Sequence, residues 1–140
     1  MRNNKTKIFL LVLAGIVSVF IIKDIFTQSG LEDLKGGFTE IAKYRNENNT
    51  GPVQQLYVVS ISDTTGAQLL EYGNLMPHHK YGTTKVYFFL DKSEMPKELS
   101  PGEVNFDAKY HPLCYALYKK GPMGNVELVR NPFHNSISNK

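Results

Sequence analysis

The residues best suited to holding a soft or borderline metal ion are His78, His79, His111 and Cys114. His111-x-x-Cys114 has a spacing that zinc can use. A closed structural site takes four ligands, and His78-His79 would complete one only by folding back. Local features oppose this arrangement. Adjacent histidines point to opposite sides of an extended backbone. Pro112 interrupts the H-x-x-C pair, and Cys114 lies in an apolar stretch, so it reads better as a small buried hydrophobe. Nucleophilic catalysis needs Ser or Cys beside a histidine that an acid orients. Ser60, Ser62, Asp63 and Asp91 supply the groups, but no G-x-S-x-G elbow occurs. Asp63 and Asp91 each follow a strand-like run, where open α/β sheets place their ligand sites. A helix cap at Asp63 and a turn at Asp91 account for them better, since a strand-end site needs further partners that the sequence does not supply. Gly51-Pro52 precedes a strand and Gly121-x-x-Gly124 joins two, so neither opens a helix to cradle phosphate. The sequence thus assigns no catalytic, cofactor-binding or metal-ligating residue and calls for no cofactor.

The elements around these residues follow from periodicity. Leu31, Leu34, Phe38, Ile41 and Ala42 recur at three- and four-residue spacing, which predicts an amphipathic helix over 31–44, weakened at Gly36-Gly37. The polar stretch 46–52 predicts a loop that contains the sequon Asn48-Asn49-Thr50. Residues 53–61 (VQQLYVVSI) predict a strand buried on both faces. Asp63 is placed to cap a helix running to Leu75, and Met76-Pro77 ends it. Residues 84–90 (TKVYFFL) predict a second central strand; strand, helix, strand at this spacing suggests a βαβ unit, with antiparallel pairing of the two strands as the alternative. Tyr57, Val59, Val86 and Phe88 are expected at the sheet centre. Residues 92–110 hold Pro96, Pro101 and Gly102 and predict mostly loop, with room for a short helical turn. Residues 113–119 and 125–130 predict a hairpin around Lys120–Gly124. Strand, helix, strand, a proline before the next strand and a closing hairpin together resemble the thioredoxin-like order, with Pro112 in the proline slot. The chain has no C-x-x-C, so redox activity does not follow from that resemblance.

Residues 8–22 (IFLLVLAGIVSVFII) carry no charge, and Ser18 is their one polar side chain. As a helix this run spans about 22 Å, against roughly 30 Å of bilayer hydrocarbon. Lys7 and residues 23–26 extend it, with lysines that can snorkel to the interface. Two readings stand. One is an uncleaved anchor. The other is a signal peptide cleaved near Thr27-Gln28-Ser29. The length of the run and Lys23-Asp24 behind it favour the anchor. Arg2, Lys5 and Lys7 precede the run without an acid, which orients the N-terminus to the cytoplasm and the remainder outside it.

Of the 16 Lys and Arg, those three precede the run, leaving 13 basic residues against 13 acids beyond it. The overall charge of +3 is therefore a property of the membrane flank. A neutral remainder argues against nucleic-acid binding, which needs a basic face. One cysteine allows no intramolecular disulfide. The expected organisation is a membrane anchor over 1–28, an amphipathic helix and linker over 29–51, a small domain over 52–133 and a disordered tail over 134–140. The expected fold class is α+β, or small α/β: a transmembrane helix plus about four strands with one or two packed helices. The expected function is a single-pass, membrane-anchored accessory or interaction domain, non-enzymatic and extracytoplasmic. Its partners would be the lipid bilayer through residues 8–26 and a protein or a second copy of the chain, with no nucleic acid. The alternative is a membrane-tethered enzyme or small-ligand-binding domain with its site at the strand ends near Asp63, His78 and Asp91.

Overall fold

The structure, a computed structural model, describes residues 3–27, 30–46 and 51–134 and, within these, the side chains of all but 23–27. The proposed cleavage site around Gln28-Ser29, the sequon at 48–50 and the tail beyond His134 lie outside the described residues. The chain forms two compact units, Met1–Gly30 and Leu31–Lys140.

The first unit is helix α1, Asn4–Thr27. Its 24 residues correspond to about 36 Å, longer than the apolar run alone and enough to span a bilayer. Residues Asn4–Ile22 meet the length and composition needed to cross a membrane. Apolar side chains stand exposed on every side, Phe9, Leu13, Val17 and Phe20 among them. The lone hydroxyl in the run, that of Ser18, donates to Ala14 O at 2.8 Å, so the helix satisfies it internally.

The second unit is an α+β sheet of five strands, one more than the sequence suggested. In chain order they are β1 (Phe38–Arg45), β2 (Gln54–Ile61), β3 (Thr83–Leu90), β4 (Cys114–Lys120) and β5 (Val126–Arg130). Their spatial order is the same, β1-β2-β3-β4-β5. β2 and β3 are parallel, and every other neighbouring pair is antiparallel. Helix α2 (Leu69–Leu75) makes the crossover between the parallel pair, as the βαβ spacing predicts. From β3 to Pro112 the chain is irregular except for a 3-10 turn, Ala108–Leu113. The element order that resembles the thioredoxin-like one is therefore present, with Pro112 before β4 and the β4–β5 hairpin closing the sheet, while no α-helix precedes that proline.

The predicted helix over 31–44 is not a helix. Residues Leu31–Asp33 form a single 3-10 turn, and β1 follows. Gly36 and Gly37 have φ of 138° and 60°, conformations that end any helix there. β1 is an edge strand whose pairing with β2 slips between Glu40 and Ala42. The compact domain thus includes residues assigned to a linker. Asp63 does not cap α2 either. The residue before the helix is Gln68, with no side-chain cap bond. Asp63 Oδ1 instead accepts from Thr65 N at 2.9 Å, closing a local turn.

Alternation along β2 and β3 builds two cores. On the α2 side, Tyr57, Val59, Val86 and Phe88 are buried as expected, with Leu69, Tyr72 and Tyr118. Rings knit this layer: Phe38 lies 4.5 Å from Tyr72, and Phe88 meets Tyr72 at 5.8 Å edge to face. On the other side Val58, Tyr87, Phe89 and Cys114 are covered by residues of the 91–113 loop, chiefly Phe106, Met95 and Leu99. Each fully buried side chain of this size contributes roughly 1.5–3 kcal/mol. Asn105 holds the covering loop. It is 2% exposed, accepts from the Tyr87 hydroxyl at 2.5 Å and donates to Ser100 O and Gly102 O.

Candidate functional site

Because β2 and β3 are parallel, their carboxyl ends meet, and the residues after them line one shallow cleft of about 250 Å³. Ser62, Asp63 and Thr64 come from one strand end, and Asp91 and Lys92 from the other. Backbone bonds fix this lip. Asp91 N donates to Ile61 O at 3.0 Å, and Ser62 N and Asp63 N both donate to Gly36 O at 3.0 and 3.1 Å. Gly37 is required here: at φ 60°, a Cβ would collide with the Ser62 hydroxyl. The structure therefore joins Asp63 and Asp91 as the alternative reading expected. Both carboxylates stand in solvent, and one Asp63 oxygen serves its own turn. The lip can order a small polar ligand by hydrogen bonding. It is not a dry pocket of the kind that tunes an acid–base pair.

His78 does not belong to this lip. It precedes β3 and sits at the opposite end of the sheet. Its Nδ1 lies 2.9 Å from Thr84 Oγ1, and the buried Thr84 hydroxyl donates to Pro77 O at 3.2 Å, which leaves Nδ1 as the donor. Burial, then the nearby Lys120 ammonium, holds His78 below its ordinary pKa, against a backbone hydrogen bond at Gly121. His79 turns away, with Nδ1 2.9 Å from Lys80 O.

His111 is separate again. Its ring stacks on Phe133 at 4.0 Å and 5°, with Phe106 against its edge. Cys114 shares a narrow cavity of about 80 Å³ with His111 and His134. Burial pushes the Cys114 thiol up to about 12, so it is a poor ligand and nucleophile at neutral pH. The four residues weighed for a metal thus occupy two different regions of the domain. Among the described residues no group of three or more His, Cys, Asp or Glu is arranged to hold a metal ion.

A larger groove of about 630 Å³ lies between two arms of the covering loop, 95–100 and 106–110. Met95, Leu99, Phe106 and Tyr110 supply apolar walls, and Lys97, Glu98, Asp107 and Lys109 supply a charged rim. Lys109 folds over the Tyr110 ring at 4.9 Å, and Asp107 Oδ1 accepts from Lys109 N. Sequence reasoning missed this groove, because 92–110 reads as a loop. The signal was present in four large apolar residues spaced through a segment too irregular to bury them by periodicity. No family model matches the chain, and no curated protein or solved structure proves similar to it.

Proposed function

We propose that the chain is a single-pass membrane protein whose C-terminal domain stands outside the cytoplasm and holds a protein partner at the membrane surface without catalysing a reaction. The observation that carries the anchor is α1 itself. Its apolar residues are exposed on all sides and the one hydroxyl within its apolar run 8–22, that of Ser18, is satisfied internally, which suits hydrocarbon and not water. The basic flank before it supports the orientation. The groove on the covering loop supports the interaction reading, since apolar walls with a charged rim match the anatomy of a docking surface. The test is alkaline extraction of membranes containing the full chain, followed by protease protection in sealed vesicles. Retention after extraction, with the domain protected on the extracytoplasmic side, is expected. Release by alkali, or a mature N-terminus near Gly30, would replace the anchor with a cleaved signal.

A second reading has its own observation. Asp63 and Asp91, with Ser62 and Lys92, share one cleft at the carboxyl ends of parallel strands, where open sheets bind small ligands. Chemical-shift changes confined to residues 61–64 and 90–92 on adding a polar metabolite would favour it.

A further inference from the structure

Charge in the domain is neutral in sum but divided between its ends. At the carboxyl ends of β2 and β3 lie Glu32, Asp33, Asp63, Asp91 and Glu94, with Lys35 and Lys92 among them. At the opposite end Arg45, Lys80, Lys85, Lys119 and Lys120 collect, with the acids Glu103 and Glu127 near them. Two loop tips project from this basic end. One is the turn after β4, where Met123 is 95% exposed between Pro122 and Gly124. The other is the turn before β3, where Tyr81 is 69% exposed at φ 66°. A left-handed backbone at a bulky residue costs energy, and here it holds an aromatic ring out in water. Lys80 Nζ lies 5.1 Å from the centre of that ring. The two tips belong to one surface: Lys120 pairs with Thr84 at the start of β3, and His78 reaches the backbone of Gly121.

An apolar residue at each of two adjacent tips, with lysines at their bases, is how a folded domain enters a lipid interface. The tips sink into the headgroup and acyl boundary while the ammonium groups meet anionic headgroups. The tyrosine suits the interface and the methionine the acyl side. A flat protein surface would leave a projecting Met123 poorly covered. We propose that the Tyr81–Met123 end of the domain binds an anionic phospholipid bilayer. This second membrane contact rests on the anchor reading, and the chain enters the domain at the other end of the sheet, beside Ser62.

The chain contains no tryptophan, so one can be introduced as the sole reporter. The full chain with Met123→Trp is reconstituted into vesicles of phosphatidylcholine, alone or mixed with phosphatidylglycerol, whose acyl chains carry bromine. The expected result is blue-shifted, quenched emission in the phosphatidylglycerol vesicles only, reversed by high salt. Each lysine contributes about a fivefold factor to binding, so Lys80→Glu with Lys120→Glu should abolish quenching. Thr64→Trp, at the acidic end, should stay unquenched. Circular dichroism checks that each variant folds, and the salt reversal needs no charge variant. Quenching that ignores phosphatidylglycerol and salt overturns the proposal. So does unquenched emission from the Met123→Trp chain when that chain resists alkaline extraction. Chains washed off by alkali would sink the anchor reading instead.

Discussion

Gly73→Ala should destabilise the domain, although the same change in most helices is favourable. Gly73 is buried in α2, and a Cβ there would lie 2.5 Å from Cε2 of Tyr118 and closer still to its Cγ and Cδ2. The helix gains about 1 kcal/mol when alanine replaces glycine. Overpacking a filled core costs about 1–3 kcal/mol, sometimes more. The upper part of that range applies, because the Tyr118 ring has no room to give. It is fully buried, its strand is paired on both sides, and its hydroxyl donates to Asn74 Oδ1 at 2.8 Å. The net loss is then about 1–2 kcal/mol, and each kcal/mol lowers Tm by roughly 4–8 °C in a domain near this size. Thermal and urea unfolding of the full chain in detergent measures it. Adding Tyr118→Leu should make the double change milder than the sum of the two single ones, because the smaller side chain relieves the clash. A Gly73→Ala protein as stable as the parent, or more so, would refute the close helix–sheet contact.

Asn105→Ala strands the buried Tyr87 hydroxyl and should cost about 1–3 kcal/mol, with faster hydrogen exchange across 95–110 as the covering loop loosens. Cys114 should resist thiol reagents at pH 8 in the native protein and react on unfolding, because burial keeps it a thiol. His78 titrates in the fold below its ordinary 6.5, so the unfolded chain takes up its proton first. Its effect is nil above that pH and becomes a loss of stability as pH falls through 6.5 towards the lowered native value. The urea midpoint should drop over that window, and by less in His78→Gln. An identical pH profile in the two proteins would contradict the burial assigned to this ring.

The two central strands were legible because both of their faces are buried. An unbroken run such as LYVVSI has few other uses in a domain of this size. The hairpin announced itself through Lys120–Gly124, and α1 through composition. β1 was not legible, since only Phe38, Ala42 and Tyr44 are even partly buried along it and the bulge at Glu40–Ala42 breaks the alternation. Its apolar residues then fall at helical spacing by coincidence. Of the site, the meeting of Asp63 and Asp91 follows from recognising parallel strands. The exile of His78 follows from the same fact, since a residue before a parallel strand lies at the far end from one after it. The groove on the covering loop depends on how Asn105 folds irregular backbone, which no periodicity encodes.

The chain passes from α1 into the sheet through Gly36-Gly37 and then β1, which runs antiparallel to β2 along its length. A load applied through α1 therefore reaches the domain at the start of β1. If the far end of the sheet is held, the pull runs along the β1–β2 ladder and not across it. Its hydrogen bonds must then yield together and cannot open one at a time, which makes the ladder a shear joint. The backbone bonds of Ser62 and Asp63 to Gly36 stand at the point where that load enters. An edge strand whose side chains are mostly exposed beyond Phe38 is thereby the part of the fold best placed to bear force.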